Sequence, residues 1–108
     1  MENKFLVIYV TFRDRQKADK IVDSLINKKL IACANYLGIE ARYFWKTEVV
    51  NAAEVAALLK TRSENWEGVK SEIVKMHSYE IPCIIKYEVE ANKEYADWVK
   101  SETDFLNS

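Results

Sequence analysis

The stretch Glu48-Val-Val-Asn-Ala-Ala-Glu-Val-Ala-Ala-Leu-Leu-Lys-Thr61 decides the fold, because it reads two ways. Ala52, Ala53, Ala56 and Ala57 favour a helix on intrinsic propensity. Yet Glu54, Ala56, Leu58 and Lys60 alternate with Val55, Ala57 and Leu59, the period of a strand. Periodicity leaves both open. As a strand, the segment completes the order β-α-β-β-α-β followed by a C-terminal helix. That order is α+β: a ferredoxin-like sandwich of one four-stranded antiparallel sheet with helices on one face.

The flanking segments read more simply. Phe5-Leu-Val-Ile-Tyr-Val10 is apolar on both faces, as a covered central strand requires. Asp14 supplies an N-cap for a helix starting near Arg15, in which Ala18, Ile21, Val22, Leu25 and Ile26 form one apolar face. Ile31 to Tyr36 and Ile39 to Trp45 predict one long strand, interrupted or bulged at Gly38. Beyond the deciding stretch, Thr61 and Glu64 have capping-box spacing, and Trp66, Val69, Ile73 and Met76 recur as a buried helical stripe. Pro82 ends a turn begun at His77. Cys83, Ile85, Tyr87 and Val89 then form the expected core face of a strand. A last helix from about Lys93 would bury Tyr95, Trp98, Val99, Phe105 and Leu106.

The hairpin from Ile31 to Thr61 is about twice as long as two strands of about 5–6 residues need. It carries Tyr43, Phe44 and Trp45 in succession, so both faces of a protruding arm are apolar. Such an arm needs covering, and a symmetric homo-oligomer using Tyr43, Phe44 and Trp45 as its interface is the economical answer. Aromatic residues folded back on their own sheet are the alternative.

Composition narrows the function. The 108 residues are 49% apolar and 31% charged, with sixteen basic against seventeen acidic side chains, which fits one globular domain over residues 1–108. A net charge of −1 argues against a nucleic-acid binder. No run approaches the ~18 apolar residues of a membrane span, and the opening Met1-Glu2-Asn3-Lys4 does not read as a secretory signal, so a cytoplasmic location is expected. Two glycines leave no phosphate-cradling loop, and no organic cofactor is evident.

Catalytic constellations are equally scarce. One histidine and two distant cysteines make a nucleophilic triad improbable, and Cys33 reads as a small buried hydrophobe. No enzymatic reaction follows. Met76, His77 and Cys83 are the densest set of soft donors, of a kind that favours copper or zinc. The plainer reading places His77 at a helix C-terminus, where imidazole suits the dipole, with Met76 and Cys83 in the core. Glu54, Lys60 and Arg62 would share a strand face and, with Trp45 and Tyr79, line an inter-subunit pocket for a small anion. The alternative is a solvated row of charges.

Thr11-Phe-Arg-Asp14, Leu30-Ile-Ala-Cys33-Ala-Asn35, Tyr43-Phe-Trp45, Glu54, Lys60-Thr61, His77-Ser-Tyr79, Pro82 and Tyr95-Ala-Asp-Trp98 follow one another over essentially the whole chain. In this order they resemble the CutA divalent-cation-tolerance family. The resemblance implies a ferredoxin-like fold, the strand reading of Glu48 to Thr61, a homotrimer, and binding of copper (Cu+ or Cu2+) or another divalent cation. No downstream partner follows from it. Arg13, Lys46, Ser78 and Cys83 stand where the family pattern has proline, glycine, proline and an acidic residue. A Cys-His-His copper set assigned in one member aligns with Val10, Met76 and His77, so only His77 carries over. A second reading is a PII-like small-molecule sensor, a likeness of architecture. An acylphosphatase-like enzyme lacks its phosphate loop here, and an RNA-recognition module lacks its aromatic-basic strands.

Overall fold

The fold comes from a computed structural model that describes residues 3–104. Glu48–Thr61 is a strand. The elements run β1 (Lys4–Phe12), α1 (Arg15–Asn27), β2 (Cys33–Trp45), β3 (Glu48–Thr61), α2 (Trp66–Met76), β4 (Ile84–Glu90) and α3 (Lys93–Glu102). The sheet order is β2-β3-β1-β4 with every neighbour antiparallel, which is the ferredoxin-like arrangement. Tertiary pairing decides the ambiguous stretch: β3 lies between two strands, so its alternating side chains fill both faces.

One face carries the main core. Leu6, Ile8, Val10 and Phe12 of β1 meet Ala57 and Leu59 of β3 under α1 and α2, whose Ala18, Ile21, Val22, Leu25, Val69 and Ile73 are buried. Asp14 caps α1 by accepting from the Lys17 N–H at 2.9 Å. The opposite face carries Phe5, Val7, Ala32 and Val89 and is covered only in part, by Ala96, Val99 and Tyr95 of α3. The C-terminal helix thus sits across the sheet from the other two.

Several local expectations are corrected. Gly38 forms no bulge, because Gly38 pairs with Val55 in an unbroken register from Cys33↔Lys60 to Trp45↔Glu48. The Thr61–Glu64 capping box is absent. The Thr61 hydroxyl donates instead to the Leu30 carbonyl at 2.6 Å, and a 3-10 turn at Ser63–Asn65 precedes α2. Asn65, buried, donates its amide to Leu30 O and Thr103 O, tying the segment before β2 to the C-terminus of α3. Met76 is exposed, not part of the stripe, since α2 ends there. In β4 the residue facing the main core is Ile84, whereas Ile85 and Tyr87 stay 42% and 53% exposed on the partly covered face. Trp98 is also exposed, and Phe105 and Leu106 lie outside the described residues.

Beyond Gly38 the β2–β3 hairpin leaves the body as an arm, giving extents of 46 × 24 × 20 Å. Its tip turns through Lys46 (φ 48°) and Thr47 (φ 72°), both in the left-handed region a two-residue hairpin turn demands.

Candidate functional site

Register places the site. Tyr9 and Thr11 share a sheet face with Leu58 and Ala56, and the same alternation carries Glu54, Ile39, Tyr43 and Trp45 onto that face. On the far side, α2 ends at Met76, and residues 77–83 loop back towards β4. Pro82, which cannot donate a backbone hydrogen bond, follows bends at residues 78–81 and precedes β4. Between arm and loop lies a groove of about 980 Å³ lined by Tyr9, Thr11, Arg13, Ile39, Tyr43, Trp45, Glu54, Tyr79, Ile81 and Cys83, among others. Its volume is that of a large small-molecule site.

The polar chemistry inside is specific. The Tyr79 hydroxyl donates to Glu54 Oε2 at 2.9 Å. Burial, then that hydrogen bond, pushes the Tyr79 phenol above its ordinary pKa, so it stays a donor. Burial, reinforced by the Glu54 charge, likewise pushes the Cys83 thiol up, leaving it protonated at neutral pH. At the mouth, Lys46 Nζ of the arm tip lies 3.6 Å from Glu80 Oε1 of the loop.

His77 holds the loop in place. Its Nε2–H donates to the Thr11 carbonyl at 2.8 Å, and its Nδ1 accepts from the Tyr79 N–H at 3.0 Å. The ring stacks on Phe12, with centroids 5.2 Å apart and planes inclined by 13°, and packs against Tyr79 at 4.8 Å. Both nitrogens are used, so no lone pair is left for a metal.

The predicted residues therefore separate into three places. Trp45, Glu54 and Tyr79 do line one groove, joined by Cys83. Lys60 does not reach it. Its ammonium donates to Asn35 Oδ1 and lies 5.9 Å from the Tyr95 ring centroid. Arg62 donates to Thr103 Oγ1 at 3.2 Å and to the Lys100 carbonyl, fastening α3. Within one chain, Lys60 lies six positions beyond Glu54 along β3 and outside this groove. Met76 is exposed at the end of α2, His77 is committed to its two hydrogen bonds and Cys83 lies in the groove wall, and the described residues contain no group of three or more His, Cys, Asp or Glu that could hold a metal. The donor set does not fit resident copper. Arg13, Tyr9 and Thr11 were missed, although their odd spacing on a first strand could have put them on the Glu54 face.

The family model for the CutA1 divalent ion tolerance protein matches residues 6–102. The chain belongs to the CutA1 family. The divalent-cation tolerance protein CutA of Pyrococcus horikoshii is 39% identical over 99 residues, covering 91% of this chain and 97% of that one. The structure of the periplasmic divalent cation tolerance protein CutA from Archaeoglobus fulgidus superposes with a TM-score of 0.88 at 35% identity, over 94% of this chain and 99% of its own. The PII-like protein CutA from Nostoc sp. PCC 7120 gives 0.84 at 30% identity, over 91% and 96%. As a CutA1 protein the chain has the fold its sequence resemblance implied, and the family is one of cation tolerance and not a known family of enzymes. Among the described residues no helix is long and apolar enough to cross a membrane.

Proposed function

We propose that this CutA1 protein serves divalent-cation tolerance as a cytoplasmic homotrimer that senses a small organic ligand in the groove between arm and loop. The observation carrying this is the contrast between two sites. The groove offers about 980 Å³, with Glu54 and Tyr79 paired on its wall, while both His77 nitrogens are spent on the backbone. Without the imidazole, the soft donors that remain are Cys83 in the groove wall and Met76 exposed at the end of α2. The trimer is supported by exposed apolar surface on the arm, where Phe44 is 70% and Val49 62% accessible. The PII-like relative belongs to the same architecture and is compatible with ligand sensing.

The test is an anaerobic copper titration against a competing chelator, with mass measured by light scattering in the same sample. The expected result is three times the chain mass, no stoichiometric copper, and no change of copper behaviour in His77→Ala. One competed copper per chain, lost in His77→Ala or Cys83→Ser, would restore the metal centre and overturn the sensor.

A further inference from the structure

The groove holds opposite charges that its own ion pairs leave over. Lys46 and Glu80 answer each other at the mouth, and Arg42 donates to Asn51 Oδ1 at 2.5 Å on the opposite face of the arm. Glu54 accepts from Tyr79 through Oε2, so Oε1 is without a hydrogen-bond partner among the described residues. Arg13 is exposed and makes no ion pair among the described residues. Since Phe12 of β1 pairs with Val55 of β3, Arg13 and Glu54 are the residues next outward from that pair, and both line the groove. A carboxylate and a guanidinium side by side match a ligand bearing an ammonium next to a carboxylate. Beyond them the wall turns apolar and aromatic, with Ile39, Tyr43, Trp45 and Ile81.

Resting on the groove reading above, we infer that the ligand is a free α-amino acid with an apolar or aromatic side chain. Its ammonium meets Glu54, its carboxylate meets Arg13, and its side chain lies along Tyr43, Trp45 and Ile81. Of the other carboxylates lining the groove, Glu80 faces Lys46 and Glu40 alternates onto the other face of the arm, which leaves Glu54 as the carboxylate beside Arg13. A simple amine would leave the guanidinium unanswered, and a simple acid would set its charge against Glu54.

Three matched probes test this on the full-length protein: L-phenylalanine, 2-phenylethylamine and 3-phenylpropanoate. Calorimetry gives affinity, and amide chemical shifts locate binding. The expected result is saturable binding of phenylalanine that moves amides at 11–13, 50–54, 78–81 and 83. Each single-headed probe should bind about ten-fold or more weakly, and Glu54→Gln and Arg13→Met should each weaken phenylalanine by a similar factor. Either single-headed probe binding as well as phenylalanine, or Arg13→Met leaving its affinity unchanged, would overturn the amino-acid assignment. A general fragment set run in parallel separates the two claims. Fragments at the same amides with all three probes silent would overturn the amino acid and keep the groove, and no fragment there would end both.

Discussion

Glu72 lies almost wholly out of water on α2, where its carboxylate accepts from Ser24 Oγ at 2.6 Å and from Lys28 Nζ at 2.9 Å, with Lys75 Nζ at 3.2 Å. The Ser24 hydrogen bond, then that from Lys28, holds its pKa down from 4.5 to about 2. The sign follows from where the proton goes. Between these values the unfolded chain binds a proton that the folded chain refuses, so this contribution is complete above about pH 4.5 and lost as pH falls towards 2. Glu72→Gln should cost about 1–2 kcal/mol at pH 7, limited by the exposure of both lysines, and should flatten the acid limb. Urea midpoints between pH 7 and pH 3 read this directly; an equally steep acid limb in the variant would refute the assignment. Nothing in the sequence announced Glu72, because the two hydrogen bonds that lower its pKa most come from Ser24 and Lys28, at the end of α1 and 48 and 44 positions away. His77 was legible as a residue at a helix end, but its two backbone partners, which decide against a metal, are visible only once β1 and the loop are packed together.

Elements show where local signals suffice. The N-cap of α1 and its apolar stripe from Ala18 to Leu25 were readable because each depends on spacing within a few residues, whereas Ile26, assigned to the same face, is 43% exposed. Strand β3 was not, since alanine suits a helix and only its two neighbours enforce extended geometry. The length of the β2–β3 arm was readable, but the identity of its turn was not. Lys46 and Thr47 occupy positive φ where Asn-Gly would be at ease, and Thr47 is β-branched, the poorest type for that region. The turn nevertheless brings Lys46 towards Glu80 across the groove mouth. Thr47→Gly should relieve the strain and raise stability by about 0.5–1 kcal/mol, as the left-handed penalty outweighs the added freedom of the unfolded chain. A thermal melt checks it: a higher midpoint is expected, and a lower one would mean that Thr47 makes contacts worth more than its strain.

At the scale of the molecule, the sheet has one face closed by two helices and another closed only in part by α3. On that second face Leu37, Ile85 and Tyr87 remain 48%, 42% and 53% exposed, and the arm adds Tyr43 and Trp45. A monomer would hold this surface against water at a cost set by apolar area. The arm separates two roles that a single interface would otherwise confound. Tyr43 and Trp45 line the groove, whereas Phe44 pairs with Val49 on the reverse face and touches no groove position. Phe44 therefore reports on assembly without disturbing the candidate ligand wall. Phe44→Asp removes an exposed side chain that the single chain does not use for its own core, so circular dichroism of the folded chain should be unchanged. Burying that carboxylate against another subunit would be costly, so light scattering at micromolar concentration should show mass falling from three chains towards one. A trimer of undiminished mass would mean that the reverse face of the arm is free. Assembly would then have to run through the open sheet face of Leu37, Ile85 and Tyr87 alone, which Tyr87→Asp would probe in the same way.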